Sequence, residues 1–240
     1  MNAREKFGEI GDQLLKDVDE VVRKVSRVTK VHSIVFFGST ARGDVNESSD
    51  IDLLLICGNA AEARRVIYHL NHRFEVSIYS PEELASMAKL GLPLTHHLAR
   101  EGLMLNDDGS YKTAIQNLKD TNMDTLKTVS SDVHKAIKVY STLSEFNLPY
   151  LTHIFGPLLN LIETYLCTQK IFIFNKEEAI KKFIELHPEL SPLQNYMLKL
   201  LTVYRNYIRF EKQEDIDLNK FIKTVKEILK AVEGELQGEG

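Results

Sequence analysis

Two aspartates at positions i and i+2 head an apolar run, Ser49-Asp50-Ile51-Asp52-Leu53-Leu54-Leu55-Ile56. In a strand such residues project from the same face. Two like charges side by side are costly unless a cation lies between them, so Asp50 and Asp52 read as hard oxygen ligands for a divalent ion such as Mg2+. A turn or helix cap is the plainer use of an Asp-x-Asp pair. Here Asp52 interrupts a run in which a purely structural residue would be apolar. About ten residues earlier stands Phe37-Gly38-Ser39-Thr40-Ala41-Arg42-Gly43. Gly38 permits close approach of a ligand to the backbone, Ser39 supplies a hydroxyl, and a helix starting there offers free N–H groups to an anion. A glycine turn alone is weak evidence. Beside a metal pair it suggests a triphosphate whose phosphates bridge to the cation.

Other reactive side chains fit this picture less directly. Arg42, one turn beyond Ser39, can reach a phosphate oxygen or pair with Asp44 or Glu47, and a supporting role is favoured. His96 and His97 are adjacent, so on a helix they point about 100° apart and do not form a two-ligand site. Cys57 ends an apolar strand, with no base nearby in sequence to activate it.

The periodicities supply the scaffold. Ala3–Thr29 carries apolar residues at helical spacing and reads as an amphipathic helix on a sheet. Val31–Phe37, Ile51–Cys57 and Phe74–Tyr79 read as strands, and Leu103–Leu105 as a return to the sheet edge. Helices are expected at Ala60–Leu70, from Pro81 with Ser80 as its cap, and over Thr95–Arg100 up to Gly102. Strands interleaved with helices make an α/β or α+β domain. Asn106-Asp107-Asp108-Gly109-Ser110 is a cluster of turn formers, which places the first domain at residues 1–107. Helical stripes then recur at Ile154–Leu166, Leu193–Ile208 and Leu218–Leu236, so residues 111–236 read as an antiparallel helix bundle. Ile171–Phe174 reads as a loop and residues 237–240 as a flexible tail.

The strand, then Gly-Ser-x-x-Arg-Gly, then Ser-Asp-x-Asp-Leu resembles the signature of the DNA polymerase β-type nucleotidyltransferase superfamily, in particular its minimal nucleotidyltransferases. The likeness spans Val31 to about Asp107. It implies an α+β chain with a mixed sheet, two Mg2+ ions (Mn2+ as an alternative), and nucleotidyl transfer with release of pyrophosphate. It also implies a third carboxylate on a neighbouring strand, for which Glu75 is the candidate, one methylene longer than the family's usual Asp. The implied site is Asp50, Asp52 and Glu75 for catalysis and metal, with Gly38, Ser39, Arg42 and Ser49 on the nucleotide, ATP favoured. Tyr204–Glu211 is similar to the HEPN-type bundles that accompany such domains. No His follows Arg205, so HEPN ribonuclease chemistry is not supported.

Composition narrows the partners. Lys plus Arg number 30 against 34 Asp plus Glu, a net charge of −4, which argues against bulk coating of nucleic acid. Apolar residues at 43% support a buried core. Two cysteines make no disulfide framework, and the absence of a long apolar run or an apolar leader leads to an expectation of a cytoplasmic protein without membrane contact. The acceptor is left as a small molecule, a protein or an RNA end, and a homodimer is allowed. The competing reading is a nucleotide-binding regulatory or toxin–antitoxin-type module with weak or no catalysis.

Overall fold

Val31–Phe36 (β1), Ile51–Cys57 (β2), Phe74–Tyr79 (β3) and Leu103–Asp107 (β4) form a sheet in the order β3-β2-β1-β4. β2 runs parallel to β3, whereas β1 is antiparallel to both β2 and β4, so the sheet is mixed. The computed structural model describes residues 3–42, 51–67, 74–140, 149–208 and 216–238. The chain divides into two units, Met1–Lys119 and Asp120–Gly240.

In the first unit both faces of the sheet are covered, which is why β2 is apolar almost throughout. On one face Ile51, Leu53, Leu55 and Cys57 pack with Leu14, Val18, Val21 and Val25 of α1 (Ala3–Val25) and with Ala60 and Ala63 of α3 (Ala60–Ile67). On the other, Val35, Phe37, Leu54 and Ile56 meet Leu84 of α4 (Pro81–Leu90), Leu98 of α5 (Pro93–Glu101), and Tyr111 and Ala114 of α6 (Ser110–Gln116). Between β1 and β2 lies a single helical turn, α2 (Gly38–Arg42). Alternation along β2 assigns Asp52 to the Leu54 and Ile56 face. Burial of each of these large side chains is worth roughly 1.5–3 kcal/mol, so the position of β2 is well determined.

Local chemistry sets the ends. Ser80 Oγ accepts from the Glu83 N–H at 3.1 Å, and Glu83 Oε2 accepts from the Ser80 N–H at 2.7 Å, a complete capping box ahead of Pro81. Gly91, at φ 64°, closes α4 in the left-handed region. Of the turn formers Asn106–Ser110, only Asp108 and Gly109 lie between β4 and α6, with Gly109 at φ 105°. Asp107 accepts from Ser33 Oγ at 2.6 Å and from the Tyr111 N–H at 3.0 Å, which starts α6 directly after the strand. That helix packs on the sheet, so the first unit extends past the turn formers, and the division falls at Lys119/Asp120.

The second unit consists of α7 (Met123–Tyr140), α8 (Pro149–Thr168), α9 (Lys176–Leu186), a 3-10 segment (Pro188–Leu193), α10 (Gln194–Ile208) and α11 (Leu218–Gly238), with no strand among the described residues. Ile171–Phe174 is an irregular connection. Apolar stripes fill its interior: Phe155 meets Tyr204 edge-on at 5.6 Å, and Tyr165 meets Phe183 at 5.3 Å. Among the described residues no helix is long and apolar enough to cross a membrane.

Candidate functional site

Gly38 adopts φ 61°, a conformation that side chains rarely take. The space its missing Cβ would fill holds the Asp52 carboxylate, whose Cγ would lie only 2.8 Å from that atom. Glycine is therefore required twice at this position, by the backbone and by its neighbour. The Asp52 main chain is tied to the same turn on both sides. Its N–H donates to Thr40 Oγ1 at 3.3 Å, and its carbonyl accepts from the Phe37 N–H at 3.2 Å. Thr40 is fully buried, so its hydroxyl is part of the framework rather than a solvent contact. Two strand ends and one helical turn thus hold a half-buried carboxylate against the backbone.

On the next strand Glu75 is the register partner of Asp52. Paired residues of parallel strands share a face, so both carboxylates stand on the same side of the sheet. Glu75 is exposed, on a strand that forms one edge of the described sheet. Ser39 is half-buried in α2. Ser49 and Asp50 lie outside the described residues. Among the described residues no three His, Cys, Asp or Glu gather into a metal cluster, and Asp50, a member of the expected set, is not among those searched.

Arg42 pairs with a residue that was not among its expected partners. Its Nη1 lies 2.7 Å from Glu101 Oε2, and the partners expected from sequence, Asp44 and Glu47, lie outside the described residues. Glu101 is also 2.9 Å from His97 Nε2, and that nitrogen lies 3.1 Å from the Gly38 amide. His97 is therefore at the turn. The adjacent His96 is buried, and its Nδ1 lies 3.3 Å from Arg100 Nη1. The spacing His97-x-x-x-Glu101 was the one sequence signal for the pair. Nothing local could point to Gly38, 59 residues away. Cys57 is fully buried and burial raises its thiol to about 11, so it stays protonated near neutral pH and is no nucleophile.

The model of the nucleotidyltransferase domain family matches residues 18–87. These residues form a nucleotidyltransferase domain. The match takes in β1, the Gly38 turn, Asp52 and Glu75, and ends before His97 and Glu101. A crystal structure of a spectinomycin adenyltransferase from Enterococcus faecialis, with ATP and spectinomycin, is 13% identical with a TM-score of 0.54. The similarity covers 92% of this chain and 99% of that one, and at such identity it shows a shared fold, a mixed sheet followed by helices. A toxin–antitoxin crystal structure with AMP-PNP is 15% identical over 53% of this chain and 95% of its own, with a TM-score of 0.30. No curated protein matches the sequence. The turn and the strand are thus tied together by hydrogen bonds on the Asp52 main chain, while His97 and Glu101 approach from α5.

Proposed function

We propose that this chain moves a nucleoside monophosphate, AMP foremost, from a nucleoside triphosphate to a hydroxyl acceptor and releases pyrophosphate. The observation that carries the reading is the Asp52 carboxylate resting on Gly38, with Glu75 beside it in register, inside the nucleotidyltransferase domain. Carboxylate oxygens suit Mg2+ better than softer metals, and Asp50, Asp52 and Glu75 would hold it. A bound divalent ion would neutralise charge on the phosphates and on the leaving pyrophosphate. Gly38, lacking a side chain, lets the Asp52 carboxylate lie against the turn, and Ser39 offers a hydroxyl donor to a phosphate. Glu75, exposed toward solvent, takes the proton of the acceptor hydroxyl. The acceptor oxygen bonds to the α-phosphorus as the bond to the bridging oxygen of pyrophosphate breaks. Arg42 acts in support, through Glu101.

The second reading is a nucleotide-binding module with weak or no catalysis, and the exposure of Glu75 on an edge strand favours it. The Glu75 variants separate the two. A general base contributes about 10²–10⁴-fold, so Glu75→Gln should bind MgATP nearly as well as wild type by calorimetry while transferring label from α-labelled NTP poorly. Glu75→Asp should retain transfer. Equal transfer rates in all three proteins would remove Glu75 as the base, and no labelled product from wild type with any NTP and cell extract as the acceptor pool would favour the module.

A further inference from the structure

We propose that His97 is a positioning residue for the Asp52 carboxylate, acting through the backbone of Gly38. The inference rests on the reading of Asp52 given above and extends it to a residue outside the matched domain residues.

The Asp52 carboxylate occupies the space over Gly38, so the surface it rests on moves with that residue. The Gly38 N–H points at His97 Nε2, 3.1 Å away. To accept this hydrogen bond the imidazole must be neutral, with its proton on Nδ1. The same Nε2 lies 2.9 Å from Glu101 Oε2, and one nitrogen cannot accept from Gly38 while donating to Glu101. Arg42 decides between them. Its guanidinium, 2.7 Å from that Glu101 oxygen, supplies the hydrogen bond and positive charge the carboxylate would otherwise seek from the imidazole. The edge-on contact between Phe37 and His97, 5.4 Å between ring centres, fixes the ring plane from the strand side. His97 is largely enclosed, its side chain 12% exposed. The chain of contacts runs from Arg42 through Glu101 and His97 to Gly38, and ends under Asp52.

A plain structural role for His97 would move stability and leave the carboxylate in place, so the test reads both. In full-length protein, NMR follows the Gly38 amide and the Asp52 side-chain carboxyl carbon while transfer kinetics are run in parallel. His97→Ala should shift both signals and lower kcat about 10- to 100-fold, with KM for the NTP changed less than about threefold. His97→Gln, whose side-chain carbonyl can accept the same N–H, should restore both signals and most of the turnover. Unmoved signals in folded His97→Ala, or a His97→Gln protein no closer to wild type than His97→Ala, would overturn the proposal. If wild type transfers nothing yet the two signals move and recover as described, the positioning stands and the catalytic reading falls. If wild type transfers and the signals stay, the reverse holds.

Discussion

Asp52 in the first unit and Glu163 in the second are both carboxylates withdrawn from bulk water, and their surroundings differ in kind. Around Asp52 the chain supplies a glycine without a Cβ, main-chain hydrogen bonds with the Thr40 hydroxyl and the Phe37 amide, and an adjacent carboxylate in register. Around Glu163, on α8, burial dominates and pushes its carboxyl up to about 7, with Lys176 as the opposing charge. The first arrangement holds a charge in a chosen place. The second tolerates a charge that burial disfavours, inside a unit stabilised by apolar seams.

That contrast can be sharpened first in the helical unit, where the largest loss of stability is expected. Phe155 is fully buried and touches both Tyr204 and Phe221. Phe155→Ala should destabilise the second unit by about 3–5 kcal/mol. Hydrogen exchange should show α8 and α10 amides opening sooner while β1 and β2 amides keep their protection. Equal loss of protection in both units would erase the distinction between them.

Gly38→Val attacks the other side of the comparison. The new side chain meets the Asp52 carboxylate and must adopt a left-handed backbone, so the site is displaced while the two cores are left intact. Transfer should fall at least about 100-fold, equivalent to roughly 3 kcal/mol in the barrier. Wild-type turnover in this variant would show that the turn does not support the carboxylate.

A smaller effect is expected from pH. The folded-state pKa of Glu163 is raised above its ordinary value of 4.5 to about 7. Folded protein therefore holds the proton more tightly than unfolded protein between those values. Its contribution favours folding below pH 4.5, diminishes as pH rises to 7, and is constant above, a change on the order of 3 kcal/mol. Hydrogen exchange of α8 amides at pH 5 and pH 8 should show this loss, and Glu163→Gln should flatten it. An unchanged profile in Glu163→Gln would assign the pH response to other groups.

How far the sequence could be read depended on the distance over which each feature is decided. Ser80 and Glu83 announce their capping box within four residues, and β2 announces itself by an unbroken apolar run. Glu75 was named through the family resemblance, and the parallel register of β2 and β3 sets it beside Asp52. Three features escaped. Thr40 carries no local signal, because its hydrogen bond with the Asp52 amide crosses from one element to another. His97 carried no sequence signal for its contact with Gly38, because that contact depends on how α5 packs against the turn. The cluster Asn106–Ser110 has the composition of a linker, and only packing reveals that Tyr111 and Ala114 return to the sheet. Ser49 and Asp50 fall outside the described residues, so their roles rest on the motif alone.

The most direct test follows α-labelled and γ-labelled ATP side by side, with Mg2+ and cell extract as the acceptor pool, in wild type and Asp52→Asn. Nucleotidyl transfer puts the α-label in the acceptor and the γ-label in pyrophosphate. Removing one carboxylate that holds the cation should reduce both products by about 10²–10³-fold or more without loss of the fold, as monitored by the melting curve. Appearance of the γ-label in the acceptor, or wild-type transfer by a folded Asp52→Asn protein, would contradict the assignment of this site.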